Sequence, residues 1–418
     1  MSGGTLRSPR SALAALAWLA SATGVCADNG VHGRIELQDM GAFARGDSLD
    51  ALLGAQNRND VLANLRVTWE PSWDRWSLAF HYVVNLDYGD DVRLKRKEAG
   101  LLPIPPSTWF NLTETFDNHG EFFGSQTIDR LSVGYTAPDF VVRIGRQALT
   151  WGSGLVFRPM DLFDPFSPIA TDTEYKPGTD MAYSQWLFAD GSDLQFIVVP
   201  RPARKGAWPS SDASSIALHY HGDLLDHPTT FLLARDHGDW VAGLGVNGAL
   251  GGATWNLELV PTFLGHGPSR VSGLANISDA ATLFNRNTTI FAEYFHNGFG
   301  VDGVSSFSFS TLPPDLVDRL ARGQVFNLRS DYLATGLTLE VDPLLNVSPT
   351  LISDLNDPSL FALVAATYSL EDNLTVVAGV QAPLGGHGTE FGGVPITPGS
   401  HTLLGPPSQL YVQLRRYF

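Results

Sequence analysis

Few residues in this chain have types and spacing that could do chemistry. His219 and His221 alternate along one strand-like stretch, which puts both imidazoles on one face, as a bidentate metal pair requires. No third ligand accompanies them, so the pattern favours two histidines facing an aqueous interior beside Gly222 and Asp223. His81 and Glu293 read the same way, as isolated polar residues on interior faces. Gly152-Ser153-Gly154 sets a serine between glycines, but a nucleophile elbow needs glycine two residues before the serine, where Trp151 stands. No glycine-rich phosphate loop occurs between a strand and a helix. The single cysteine, Cys26, excludes a cysteine-based zinc cluster. No catalytic signature is present, and neither a cofactor nor a metal is expected.

The richest segment runs from the end of one strand through residues 148–168. Gly152 and Gly154 permit a sharp turn. Phe157, Arg158, Pro159, Met160, Asp161, Leu162, Phe163, Asp164, Pro165 and Phe166 follow. Prolines stiffen such a loop, aromatics anchor it, and Arg and Asp supply polarity. Folded into a channel, it would form a constriction built from Arg143, Trp151, Arg158, Asp161 and Asp164. Arg143 and Arg158 would oppose Asp161 and Asp164, giving a transverse field that is screened less than on an open rim. The structural alternative is a loop packed over the rim, with the two aspartates as turn or helix caps. Arg146 shares its parity with lipid-facing Ile144 and is expected to snorkel toward headgroups.

The elements that must position this segment are strands. The chain has 418 residues, 44% hydrophobic and only 17% charged, which excludes a disordered polymer. With 43 acidic against 27 basic side chains the formal charge is −16, which excludes a nucleic-acid binder. Residues 1–27 read as a secretory signal peptide: Arg7 and Arg10, a short apolar run, then Val25-Cys26-Ala27 before a polar stretch. Residues 28–418 read as one domain, with no linker or composition break and no later run long enough for a spanning helix.

Instead, segments of about 9–11 residues alternate apolar and polar between turn signals, the signature of a transmembrane β-barrel. Ala63, Leu65, Val67 and Trp69 oppose Asn64, Arg66, Thr68 and Glu70; Trp255, Leu257 and Leu259 oppose Asn256 and Glu258. Leu78, Phe80, Leu257, Leu333, Leu337 and Val376 are expected on lipid, and Arg66, His81, Asn256 and Gln381 in the lumen. About seventeen segments can be counted directly, whereas single-chain bacterial barrels have even numbers. Long and short connections stop alternating after 262; one more strand around 270–277 restores them and makes the total about 18, with 16–18 the working range. The helix signal at 312–322, opened by Pro313-Pro314 and closed by Gly323, then falls in an outer loop. The basic run Arg93, Lys95, Arg96 and Lys97 falls in another, as a solvated face or a lipopolysaccharide contact.

Gln409-Leu410-Tyr411-Val412-Gln413-Leu414-Arg415-Arg416-Tyr417-Phe418 resembles the C-terminal strand of Gram-negative outer-membrane proteins, which ends in Phe; Arg416 breaks its apolar series. The sequence GRQ, then WGxG, then PxDLFxP over 145–166 resembles outer-membrane porin-like barrels, including those grouped with alginate-export proteins. The resemblance implies an all-β, up-and-down transmembrane barrel in the outer membrane and a channel for small polar or amphipathic solutes, not an enzyme. The implied partners are outer-membrane lipids and lipopolysaccharide, the barrel assembly machinery and a small-molecule solute. A structural or export-system barrel without its own selectivity is the alternative, and a barrel-embedded hydrolase is a third. Bilayer conductance separates channel from anchor, and an ester panel tests the hydrolase.

Overall fold

A strand with one aliphatic and one polar face satisfies both when lipid lies on one side and water or protein on the other. Closing the sheet removes the unpaired edges that hydrocarbon would not tolerate. The structure is a computed structural model describing residues 30–99, 105–303 and 307–418. Among them, 18 long strands form a closed antiparallel barrel. They are β1 (Val31–Phe43), β2 (Asn57–Trp69), β3 (Trp76–Gly89), β4 (Phe122–Thr136), β5 (Phe140–Gln147), β6 (Thr179–Leu187), β7 (Asp193–Val199), β8 (Ser215–Leu224) and β9 (His227–Asp236). β10 (Asp239–Leu250), β11 (Ala253–Phe263), β12 (Arg270–Leu283), β13 (Arg286–His296), β14 (Asp331–Asp342), β15 (Leu345–Asp354), β16 (Leu360–Glu371), β17 (Leu374–Leu384) and β18 (Ser408–Tyr417) complete it. Each pairs with the next, and β18 closes on β1 from Arg34 opposite Tyr417 to Phe43 opposite Ser408. β12 is the strand that the parity of connections called for. The signal-peptide segment lies outside the described residues.

Connections at one end are short turns. Leu225-Asp226 and Phe284-Asn285 each hold two residues at positive φ, between 53° and 63°, the geometry that matches strand twist in two-residue hairpins. Most long connections leave from the other end, including 148–178, 297–330 and 385–407. Three short helices lie at that end: α1 (Leu49–Leu52), α2 (Asp90–Glu98) and α3 (Pro314–Ala321). α3 occupies the expected outer loop. The basic run, expected in a loop, is helical: α2 takes it in, and Asp90 and Asp91 in its first turn and Lys95–Lys97 in its last suit the helix dipole. Its cations are engaged within the protein: Arg93 with Asp90 and Glu121, Lys95 with Asp91 at 2.8 Å, Arg96 and Lys97 with backbone carbonyls.

The faces follow the period-two pattern. Leu257 and Leu259 are each 50% exposed on the outer wall, while Glu258 between them is 5% exposed and faces inward. Arg66, His81 and Gln381 are buried on the inner side, as expected. Trp69, Trp76, Trp186 and Tyr368 ring the outer wall at the turn end, and Phe43, Trp240, Phe263 and Tyr294 ring it at the loop end. Leu, Val and Ile fill the band between, matching an apolar belt about 25 Å tall between aromatic girdles.

Two outward cations depart from simple snorkelling. Arg416 pairs with Glu371 at 2.6 Å. Arg146 lies on the outer face as its parity requires, but it is buried: it bonds Asp180 twice, at 2.8 and 3.0 Å, and the Phe110 carbonyl at 2.5 Å. The Phe110 N–H donates to the same Asp180 at 2.8 Å, so the preceding loop roofs the pair and withholds the arginine from the headgroups. Phe418 seals the barrel seam. It exchanges backbone hydrogen bonds with Gly33 at 2.9 and 3.1 Å, and its ring occupies the space a Cβ at Gly33 would need.

Candidate pore constriction

Strands β5 and β6 are neighbours, yet the chain between them goes the long way round the inside. An 18-stranded barrel with strands about 4.8 Å apart and tilted about 40° has a circumference of about 110 Å. The roughly 30 residues of 148–178 can span about 100 Å at full extension, enough to visit the far wall and return. Gly152 turns the chain at a φ of +88°, and at Gly154 a Cβ would meet the Phe157 carbonyl oxygen at 1.7 Å, so both turn positions need glycine.

The segment is then handed from strand to strand. The Trp151 indole N–H donates to Gln195 on β7 at 3.0 Å, and its ring stacks on His219 of β8 at 4.7 Å with a 6° interplanar angle. Ser153 donates its N–H and its hydroxyl, the latter at 2.8 Å, to one oxygen of Glu258 on β11. Leu155, Val156 and Phe157 donate three successive backbone N–H groups to Glu293 on β13, at 2.6, 2.9 and 2.8 Å. Asn276 on β12 joins the two anchors, donating to Glu293 at 3.0 Å and to the Ser153 carbonyl at 3.1 Å.

Past that apex the chain returns along the remaining wall. The Ile169 carbonyl accepts from Gln381 on β17 at 2.9 Å. Asp172 and Glu174 each receive Arg34 of β1 at 2.7 Å. The Tyr175 ring lies 5.0 Å from the Arg34 guanidinium and 4.3 Å from that of Arg66 on β2. The Lys176 carbonyl accepts from Arg130 on β4, and the Gly178 N–H donates to Asp129 at 3.1 Å before β6 begins. Apolar side chains complete the seating. Trp151, Met160, Leu162 and Phe163 pack on the inner wall around Ile197, Val199, Leu232 and Val241. Phe157 stacks on Phe295 at 4.6 Å.

The five residues singled out in the sequence occupy this arrangement unequally. Trp151 is buried at the entry, in the contacts just given. Arg143 faces inward on β5, its guanidinium 4.7 Å from the Tyr183 ring. Asp161 is enclosed, and both its oxygens accept from Lys176 at 2.6 Å. Burial pushes the Asp161 carboxyl up to about 6 against the pull of Lys176, and burial likewise lowers the Lys176 ammonium. Asp164 accepts from the Thr179 hydroxyl at a φ of 52°. Arg158 lies half-buried beside the Phe166 ring at 5.9 Å. The four charges are thus not gathered face to face: Asp161 is matched by Lys176, and Arg158 has an aromatic neighbour.

Glu258, Asn276 and Lys176 hold the segment without having been singled out in the sequence; Glu293 stands out there only as an isolated interior acid. For Glu258, Asn276 and Glu293 the signal is an acid or amide on the inner face of an otherwise apolar-alternating strand, more than 100 residues from the loop it holds; Lys176 lies within the loop itself, 15 residues from Asp161. His219 and His221 share the inner face, as their spacing predicts. Among the described residues no group of three or more His, Cys, Asp or Glu side chains is arranged to hold a metal.

No protein-family model matches the sequence, and no curated protein sequence matches it. Solved structures do. A crystal structure of Pseudomonas aeruginosa OccK9 (OpdG) aligns with a TM-score of 0.53 at 12% identity, covering 93% of this chain and 98% of that one. Acinetobacter baumannii OccAB2 gives 0.52 at 9% identity, covering 93% and 97%. A BenF-like porin from Pseudomonas fluorescens Pf-5 gives 0.51 at 9% identity, covering 94% and 99%. At these identities the likeness is one of fold.

Proposed function

We propose that this protein is an outer-membrane, porin-like channel for small polar or amphipathic solutes, and that residues 148–168 narrow it. One observation carries the reading: a closed, lipid-faced barrel holds a polar-anchored loop around the inside of its own lumen, pinned to the far wall by Glu258 and Glu293. An anchor or assembly scaffold has no need of that internal segment. A barrel of this size encloses an aqueous lumen unless filled, and a wall-hugging loop reduces its bore without closing it. In this reading Arg158 is the charge offered to solutes. Trp151, the Asp161–Lys176 pair and Asp164 keep the segment in shape, while Arg143 stays on the wall over the Tyr183 ring. The porin named among the structural neighbours supports the same class, and the signal-peptide pattern of residues 1–27 supports export. Outer-membrane lipids and lipopolysaccharide are then the solvent of the outer wall, and the barrel assembly machinery inserts the chain.

The experiment is conductance of the purified protein in planar bilayers. Discrete conductance steps are expected, larger after deletion of 155–166 and altered in ion selectivity by Arg158→Glu. Absence of steps refutes the channel, and wild-type behaviour in both variants refutes the constriction. The motif's likeness to alginate-export-type barrels is a finer kinship, tested by whether an oligouronate blocks the current.

A further inference from the structure

The loop separates two cavities of different lining. On the outer-loop side, a cavity between 156–168 and the connection 297–330 is lined by Arg158, by Arg319, which is paired with Asp236 and Asp239, and by Asp161, which is paired with Lys176. On the turn side, beneath residues 150–153, lies a second cavity of about 350 Å³. Its lining includes the carboxylates of Asp193 and Glu258, together with His219, His221, Thr230 and Asn247, and no Lys or Arg. Asp193 begins β7 just after a turn, and Asn247 lies three residues before the end of β10, so the cavity belongs to the turn-end half of the barrel.

The polar groups here have capacity left over. Glu258 is 5% exposed; one oxygen accepts from Ser153, while the other has no hydrogen-bond partner. His219 is 6% exposed, stacked under Trp151, and its Nδ1 is unpartnered. One Asp193 oxygen accepts from Gln185 at 3.0 Å and Gln195 at 2.9 Å; the other faces His221 Nδ1 at 3.6 Å, beyond hydrogen-bond range. Buried carboxylate oxygens call for donors, and each carboxylate can accept about four hydrogen bonds. A metal is a poor match, since no triad of ligating side chains is assembled among the described residues. A primary ammonium, with three donors and one positive charge, matches both the charge and the hydrogen-bond deficit. The cavity holds the volume of about ten waters, at roughly 30 Å³ each, enough for an ammonium and a short chain.

We infer that the turn-side cavity under residues 150–153 is a binding subsite for the ammonium group of a small organic cation. The inference rests on the channel reading for its role and for the first of its two tests, and the second test is independent of it. In planar bilayers, n-butylammonium added from the turn side should block the current at lower concentration than n-butanol or butyrate. Asp193→Asn and Glu258→Gln should each weaken the block by about tenfold, the scale of one charge-assisted hydrogen bond; Gln at 258 keeps an acceptor for Ser153. Thr338→Ala, on the inner wall outside this cavity, should leave the block unchanged. Equal block by butanol, or block indifferent to both carboxylate variants, overturns the subsite. If the protein does not conduct, the channel reading fails on its own, and calorimetric titration of n-butylammonium into detergent-solubilised protein decides the subsite. Binding weakened in both variants upholds it, and no binding to the wild type overturns it.

Discussion

Replacing Glu293 by alanine should loosen the inserted loop while leaving the barrel folded. The carboxylate is fully buried and accepts four hydrogen bonds, three from the consecutive N–H groups of 155–157 and one from Asn276. Alanine leaves all four donors without their acceptor. A buried donor left unpaired costs about 1–3 kcal/mol, so even two that fail to find water cost about 2–6 kcal/mol. Each 1.4 kcal/mol is tenfold in population, so the docked state of this stretch falls by at least about 20-fold relative to the undocked one. The loss stays local, because Ser153 still meets Glu258, Ile169 still meets Gln381, and Arg34 still holds Asp172 and Glu174. The assay is single-channel recording beside heat-modifiable gel migration. The expected result is normal migration with larger mean conductance and added current noise. Glu293→Gln should be milder in noise, since one amide oxygen can still accept from Val156 and Phe157. If Glu293→Ala migrates as folded and its conductance and noise equal those of the wild type, the carboxylate is not what holds the loop in place.

Other expectations follow from the wall and its seam. Leu257→Arg should cost about 2–4 kcal/mol of unfolding free energy in lipid and Asn256→Arg close to none; equal costs by urea titration would overturn the face assignment of β11. Deleting Phe418 removes both backbone hydrogen bonds to Gly33 and the ring that covers it, so less heat-modifiable barrel should accumulate; unchanged assembly would make the seam contact dispensable. Burial pushes the Glu390 carboxyl, in the outer connection 385–407, up to about 6. An acid whose value is raised on docking binds its proton better when docked, so docking is strongest below about pH 4.5 and weakens by about 2 kcal/mol as pH rises through 6. Amide-exchange protection of 385–407, corrected for intrinsic rates, should therefore fall between pH 4.5 and 7, and Glu390→Gln should flatten the change.

The wall was legible in the sequence and the loop's path was not, for one physical reason. A strand facing lipid repeats every two residues, so Leu257, Glu258 and Leu259 declare their faces locally, and a miscounted turn shows up as a broken alternation of connection lengths. The break after 262 marks β12 in this way. The path of 148–178 depends instead on pairings such as Leu155 with Glu293 and Ile169 with Gln381, separated by 138 and 212 residues, which no local period encodes. Arg146 shows the boundary between the two kinds of information. Its parity gave the correct face, but its partner Asp180 and its cover at Phe110 come from two other segments. α2 was a different kind of miss, because its acidic first turn and basic last turn were local signals outweighed by the charge run itself.

The inward acids also explain why a formal charge of −16 says little about what the lumen prefers. A loop drawn inside a barrel must satisfy backbone N–H groups that water would otherwise serve. Glu293 spends its charge on three of them, and Asp129 on Gly178 and on Arg66 and Arg130. Asp172 and Glu174 are spent on Arg34, and Asp161 on Lys176. Such carboxylates are scaffold charges, compensated where they stand, and they present little field to a passing solute. In the channel reading proposed above, selectivity then falls to the few charges beside the loop that are not held in a Lys or Arg bridge to a carboxylate: Arg158 toward the outer side, and Asp193 and Glu258 toward the turn side. Neutralising Arg158 with Gln should accordingly shift ion preference more than neutralising Glu293 with Gln, although Glu293 is the more deeply buried charge. A channel whose selectivity tracked total charge instead would shift by equal amounts in opposite directions.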